Sequence, residues 1–346
     1  MFRCSRFSAV LACVLMGVAT PLAHAELLAT VPTTILSFTG AGFDATRVND
    51  PAVVFANGTY DLLYAGLPFG NNYQIGLATS TDGTNWTRYS SNPVISNAAS
   101  PSWDSFREQP VALFYSGGTY RLWLNGSNSN LATDPGYTSG FGYATSVDGI
   151  HWTQSATPIR DGANTSLSQG YALSAVVSVG STYDAYYVQH LTTGDVLYRA
   201  TSTDGATFSN DTPVNGPTGY NLETATAMTI AGRSQIFSIW ADTAGNHEYA
   251  TSVDGINFTS GGAVDLPSSL SVKNIGLSGS QLTVYGDFGV GNVNWPYGNE
   301  VIQEAQSINL PEVQAQLGGA SPVPEPGSLS LLALAVFGLT ALKRRA

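Results

Sequence analysis

A short phrase recurs along this chain and decides its fold. It reads ATSTDGTNWT at residues 78–87 and ATSVDGIHWT at 144–153, and it returns as ATSTDGATF at 200–208 and ATSVDGINFT at 250–259. Asp-Gly between two β-prone runs indicates a hairpin, because glycine accepts the positive φ that tight turns require. Each copy therefore predicts two strands, and the aromatic residue after the turn is expected to pack between neighbouring sheets.

A second predicted hairpin precedes each copy of the phrase. These hairpins cover about residues 52–64, 111–124, 175–188 and 226–240, and a divergent fifth copy covers 274–285 with a third strand at 301–308. Short strands repeating at such a period are typical of propeller blades. The sequence predicts an all-β, five-bladed β-propeller over residues 26–310, with four antiparallel strands per blade. Residues 27–38 would supply the outer strand of blade five, and a pair of β-sandwiches is the alternative fold.

The two ends of the chain have the composition of targeting signals. Residues 1–25 contain a basic start, an apolar run and Ala23-His24-Ala25, which together predict a secretory signal peptide. Residues 311–322 read as a linker. Residues 323–346 contain Pro-Glu-Pro, a short apolar stretch that would form a membrane helix, and a basic cluster.

This three-part tail resembles the PEP-CTERM sorting signal. The resemblance implies a Gram-negative bacterium that makes exopolysaccharide, with an exosortase and a signal peptidase as processing enzymes. The protein would be exported, held transiently at the inner membrane by its C-terminal segment alone, and then released to the cell surface or extracellular matrix.

Charge and cysteine content exclude several classes of function. Only eight of the 13 basic residues lie between Arg6 and Lys343, whereas all 24 acidic residues do. Nucleic-acid binding is therefore not expected, because it needs clustered Lys and Arg. Both cysteines, Cys4 and Cys13, precede the expected cleavage site, and the histidines have no metal-ligand spacing, so the sequence predicts no metal site and no cofactor.

Candidate site residues lie just ahead of the first strand of each unit, because the innermost strands of a propeller converge on its channel. Residues 43–51 and 103–110 share aromatic-Asp-x-x-Arg followed by a carboxylate and Pro, and blade four begins Tyr220-Asn221-Leu222-Glu223. Asp50, Glu108 and Glu223 are the candidate catalytic residues. The candidates for substrate binding are Arg47, Arg107, Trp103 and Tyr220.

Residues 44–308 resemble the five-bladed propeller glycosidases of the arabinanase, xylosidase and invertase type, in the Asn-Asp-Pro phrase and the Ala-Thr-Ser-x-Asp-Gly hairpins. The resemblance implies that Asp50 is base or nucleophile and that Glu223 is the general acid. The family's blade-three Asp has no counterpart, since residues 169–174 hold no carboxylate, and Glu108 is the only substitute that the sequence offers.

Two functions follow from these residues. The first is an exported glycoside-hydrolase-like propeller that acts on a polysaccharide or oligosaccharide through channel carboxylates. The alternative is a non-catalytic cell-surface propeller that binds exopolysaccharide. The acidic body favours a neutral glycan over an anionic one.

Overall fold

The computed structural model describes residues 25–70, 72–129, 138–163, 170–191, 193–230, 232–278, 281–290 and 299–317. The predicted signal peptide (1–25, save its last residue), the end of the predicted linker and the C-terminal segment 323–346 lie outside these residues. No helix within the described ranges is long and apolar enough to cross a membrane.

The described chain is built almost entirely of strands. In chain order they are β1 (Thr33–Leu36), β2 (Arg47–Ala56), β3 (Thr59–Leu67), β4 (Gln74–Ser80), β5 (Thr87–Arg88), β6 (Arg107–Ser116), β7 (Thr119–Ser127), β8 (Thr138–Ser146), β9 (Thr153–Gln154), β10 (Arg160–Ala163), β11 (Tyr171–Val179), β12 (Thr182–Gln189), β13 (Val196–Ser202), β14 (Ser209–Pro213), β15 (Tyr220–Ile230), β16 (Arg233–Asp242), β17 (His247–Ser252), β18 (Thr259–Val264), β19 (Leu270–Ser278), β20 (Gln281–Val290) and β21 (Asn299–Gln306). A 3-10 turn spans Gly42–Asp44, and one helix, α1, spans Leu310–Leu317.

Successive antiparallel hairpins group the strands into units. They are β2 to β5, β6 to β10, β11 to β14, β15 to β18, and β19 to β21 with β1. Each first strand lies beside the first strand of the next unit, in the order β2, β6, β11, β15, β19 and back to β2. All five of these strands line one cavity of about 170 Å³. The predicted all-β propeller of four-stranded antiparallel sheets is confirmed, and the sandwich alternative does not fit this ring of inner strands.

The two ends of the described chain are held together on the last unit. Strand β1 pairs with β21, as the strand-like character of residues 27–38 suggested, and Asn309 Oδ1 accepts from the backbone N–H of Leu28 at 2.8 Å. Helix α1 occupies much of the segment predicted as linker, because Leu310 and Val313 are completely buried in the apolar core. Residues 311–317, which the sequence predicts to be linker, are therefore helical.

The repeated turn is stabilised by its own polar side chains. In the first copy, Ser80 Oγ accepts from the backbone N–H of Gly83 at 2.9 Å, and Asp82 Oδ1 accepts from those of Thr84 and Asn85. Hydrogen bonds from Asn85 and its neighbours lower the pKa of the Asp82 carboxyl. Ser-x-Asp-Gly is thus a local folding motif, in which the aspartate accepts hydrogen bonds from within its own turn.

The carbonyl of the turn glycine accepts a hydrogen bond, and its donor lies either in the same unit or in the preceding one. In the first two copies it accepts from the indole of the same turn, Trp86 to Gly83 at 3.0 Å and Trp152 to Gly149. The third and fourth copies have Phe in that position, and the preceding unit supplies the donor instead. Trp123 Nε1 donates to Gly205 at 2.8 Å, and the Tyr186 hydroxyl donates to Gly255.

We expect Trp123→Phe to destabilise the protein more than Trp86→Phe does. Trp123 is completely buried, so its loss leaves the Gly205 carbonyl without a partner and without water, at a cost of about 1–3 kcal/mol in the free energy of unfolding. Trp86 is only half-buried, and its carbonyl partner regains water. Urea unfolding of the two variants measures the difference, and equal losses would contradict the inter-unit role of Trp123.

Candidate functional site

A β-bulge near the start of every innermost strand shapes the mouth of the channel. The register shifts between Asn49 and Ala52, Pro110 and Ala112, Leu173 and Ala175, Leu222 and Thr224, and Val272 and Asn274. A bulge inserts an extra residue and re-aims its side chain, and bulges are common beside active sites. The residues so placed are Asp50 with Pro51, Val111, Ser174, Glu223 and Lys273.

Asp50 has a strained backbone and several partners. Its φ is +49°, which is unfavourable for a residue with a side chain and more so before a proline. Its backbone N–H donates to Asp287 Oδ1 at 2.7 Å, and Gln109 Nε2 donates to its Oδ2. Lys273 Nζ lies 3.4 Å from its Oδ1. The first, second and last units together therefore fix this carboxylate.

Lys273 is the cation at the centre of the cluster. Its Nζ is also 3.6 Å from Asp287 Oδ2. Burial works to lower the pKa of Lys273, but the charges of Asp50, Asp287 and Glu223 outweigh it and raise the pKa. Burial, followed by the charge of Asp50, raises the pKa of Asp287 well above its usual range. One cation is thus shared among acids that come from three different strands.

Glu223 reaches this cluster from the fourth unit. Its Oε1 accepts from Ser271 Oγ at 3.3 Å, and Ser271 is the cross-strand partner of Asp287. Its Oε2 lies 3.2 Å from His247 Nε2, and the His247 side chain is almost completely buried. The structure therefore brings Asp50 and Glu223 together around Lys273, although 173 positions separate them in the chain.

Glu108 is not part of this cluster. Its side chain is completely buried, and its Oε1 accepts from Gln154 Nε2 at 2.9 Å on the outer part of the same unit. The neighbouring residue Gln109 reaches Asp50, and successive side chains of a strand point to opposite faces, so Glu108 faces away. Its assignment as a catalytic residue stays a prediction, which these surroundings do not favour.

The two candidate arginines lie side by side near the mouth. Arg47 NH1 is 3.4 Å from Glu300 Oε1 and 3.3 Å from the Tyr73 hydroxyl, and Asn49 Nδ2 donates to the same carboxylate at 2.8 Å. The Arg107 guanidinium lies over the Tyr73 ring, 5.2 Å from its centroid. Both cations thus lie at the interface between the first two units.

The two candidate aromatic residues have different environments. Trp103 is buried, and its indole packs directly against the backbone of Gly126 and Gly142. A Cβ atom added at either glycine would lie within 2.4 Å of the ring. Tyr220 begins β15, three residues ahead of Glu223, and is only half-buried. Of the two, only Tyr220 keeps surface for a ligand.

Sequence reasoning missed Lys273, Asp287, Gln109 and His247. Lys273 had a usable signal, because it is one of only eight basic residues in the body of the chain and it directly precedes the first predicted strand of the fifth unit. Asp287 had none, since it lies far along β20 and reaches Asp50 only through the pairing of that strand. Gln109 needed the register of β6, and His247 needed the packing of β17 against the bulge of β15.

The C-terminal sequence matches the PEP-CTERM protein-sorting motif over residues 322–345. The chain carries a PEP-CTERM sorting signal. This motif indicates export through the envelope of a Gram-negative bacterium. No curated protein is similar enough in sequence to match this chain.

Solved structures that match this fold at low sequence identity include several enzymes that act on glycans. A family 117 glycoside hydrolase of the marine bacterium Zobellia galactanivorans has a TM-score of 0.60 at 15% identity, covering 83% of this chain and 92% of that one. A Bombyx mori family 32 β-fructofuranosidase has a TM-score of 0.55 at 13% identity, covering 78% and 61%. An N-acetylgalactosamine deacetylase from F. plautii, solved with blood group B trisaccharide, has a TM-score of 0.56 at 13% identity, covering 85% and 100%. These likenesses show the fold.

We expect Glu108 to make stability pH-dependent. Burial raises its pKa to about 8 from 4.5, despite the hydrogen bond from Gln154, so between these values the folded protein keeps a proton that the unfolded chain has lost. The contribution of Glu108 to the free energy of unfolding therefore falls as pH rises through that window. Glu108→Gln should match the wild type near pH 4.5 and be more stable near pH 8, as measured by urea unfolding at both pH values.

The control for this experiment is Glu312→Gln, on the exposed side of α1. It should give the same difference from wild type at both pH values. A Glu108→Gln variant whose stability relative to wild type did not change with pH would contradict the buried, protonated state of this carboxyl.

Proposed function

We propose that this protein is an exported, glycoside-hydrolase-like propeller that acts on a polysaccharide at the channel mouth. The observation that carries the proposal is the convergence of Asp50 and Glu223 on one cluster at the bulges of β2 and β15. Concave sites with a few convergent polar groups are the usual places for ligands. The sorting signal supports export, and we propose that the protein works at the cell surface or in the extracellular matrix after exosortase and signal peptidase have processed it.

Asp50 fits the role of base or nucleophile. Glycoside hydrolysis needs one ionised carboxylate to attack the sugar or to activate water. Lys273 and Gln109 stabilise negative charge on Asp50, and its strained backbone is the kind of cost that structures retain at functional sites.

Glu223 fits the role of general acid. Hydrolysis needs a second carboxyl that donates a proton to the leaving oxygen. Its Oε2 is buried beside His247 Nε2, whereas the side chain as a whole keeps 14% of its surface exposed toward a substrate. Ser271 and His247 hold the carboxyl in place from two sides.

The third carboxylate differs from the sequence-based assignment. Blade three has Ser174 at its bulge, and Glu108 faces the interior of its own unit. Asp287 is the acid that contacts Asp50, so we assign to it the part of a modulator that Glu108 was expected to take. Arg47, Arg107 and Tyr220 remain the residues for substrate binding, whereas Trp103 is buried against Gly126 and Gly142.

Glycan binding without cleavage is the second candidate function. Lys273 favours it, because its ammonium lies among the carboxylates, whereas general acid catalysis needs a carboxyl that holds its proton. A screen of glycans that scores both retention and product release separates the two functions.

We expect Asp50→Asn and Glu223→Gln each to lower the rate of sugar release by a factor of about 10²–10⁴, the usual contribution of a catalytic acid or base. Each change removes one charge and keeps the shape of the side chain. The measurement is reducing-sugar release from the best glycan of the screen.

Asp82→Asn is the matched control, because it removes an acid from an outer turn far from the channel. It should leave the rate of sugar release close to that of the wild type. Full activity in the Asp50→Asn variant would overturn the catalytic assignment, and retention of glycan by the wild type without any release would leave the binding function.

A further inference from the structure

Arg107 is a partly buried cation that forms no ion pair with any residue the structure describes. It begins β6, its guanidinium lies over the Tyr73 ring, and its buried Nε has no hydrogen-bond partner. Burying an N–H donor such as this Nε without an acceptor is unfavourable, because the donor loses its hydrogen bond to water without a replacement. Within the described parts of the chain, no ion pair of Arg107 is found.

Other arginines of the same fold are paired. Those in ion pairs are Arg47 with Glu300, Arg88 with Asp44, Arg160 with Asp211 and Arg199 with Asp184, all at 3.4 Å or less. Arg121, on the same unit as Arg107, donates instead to Ser116 at the outer end of its hairpin. Arg233 also has no ion pair within the described residues, but it is exposed to solvent, whereas Arg107 is partly buried next to the candidate site.

The position of Arg107 relates it to the carboxylate cluster. Gln109 is two residues further along β6 and donates to Asp50, and residues two apart on a strand share a face. Arg107 thus lies on the face of β6 that bears the Asp50 contact, one step nearer the end at which β6 begins. The bridge between Tyr73 and Arg107 joins it to the first unit, so the backbone that carries the guanidinium is fixed.

We propose that Arg107 is a subsite for the oxyanion of an acidic sugar, a uronate carboxylate or a sulfate, on the glycan that the mouth binds. This inference rests on the proposed function and adds the substrate class to it. The planar fork of a guanidinium matches such oxyanions with two parallel hydrogen bonds. The anion would supply the partner that the described residues do not provide, while Asp50 and Glu223 face a neighbouring part of the same glycan.

The acidic body of the protein does not oppose this proposal at short range. Repulsion between an anionic glycan and distant surface acids is screened over about 8–10 Å at physiological salt. A direct guanidinium–oxyanion pair at the mouth is screened much less. The net charge favours a neutral glycan at long range, and it therefore does not determine the preference of the site at short range.

The test compares matched ligands in calorimetric titrations of the full exported protein. The ligands are uronate-containing oligosaccharides, the same oligosaccharides after reduction of their carboxyl groups, and sulfated oligosaccharides with their desulfated forms. The proteins are wild type, Arg107→Gln, Arg107→Lys and the control Arg121→Gln. Thermal melts show that each variant is folded.

The wild type and Arg121→Gln should bind one of the two anionic series at least about tenfold more tightly than its neutral counterpart, in line with one charge-assisted bidentate pair. Arg107→Gln should lose that preference and still bind the neutral form. Arg107→Lys should keep part of it, because it retains the charge and loses the fork. The series that shows the preference identifies the oxyanion as carboxylate or sulfate.

Equal binding of charged and neutral forms by the wild type would overturn the inference while the proposed function stands. A preference that survives in Arg107→Gln would do the same. If no glycan of any kind binds to the wild type, both the inference and the proposed function fail.

Discussion

The junction between the first and last units is the constraint on which the site depends. Strand β1 pairs with β21, and Arg47 of β2 lies beside Glu300 of β21 as a parallel neighbour and in an ion pair. The contacts of Asp50 with Asp287 and Lys273 cross this same junction. If the first and last units separated, Asp50 would keep Gln109 and lose the other two partners, so the chain ends stabilise the chemistry as well as the fold.

Three carboxylates at the mouth share one ammonium group. Asp50, Asp287 and Glu223 share Lys273, while Arg47 has its own carboxylate in Glu300. A partly buried group of this kind tolerates the loss of one partner poorly, because the remaining charge has only limited contact with solvent. This explains why the side chains are held by bulges on rigid inner strands, which fix their directions better than loops do.

The fold could be predicted from the sequence because its signals are local. Asp82-Gly83 and its three counterparts impose tight turns through their own hydrogen bonds, and those turns set the strand count of each unit. Asp50 and Glu223 could be selected because both lie at the start of an inner strand. Glu108 could not be separated from Gln109, since the face that a side chain takes depends on the register of β6, and a shift of one residue exchanges the two. Asp287 depends on pairing across β19 and β20, which no local pattern encodes.

Helix α1 determines the side of the propeller on which the described chain ends. Strand β21 starts beside Arg47 at the mouth and ends with Gln306 opposite Thr283, at the other end of the propeller. The chain then enters α1, whose Leu310 and Val313 pack with Met228 and Ile230 at the far end of β15. The sorting motif begins five residues after α1. The described chain therefore ends on the side of the propeller opposite the carboxylates.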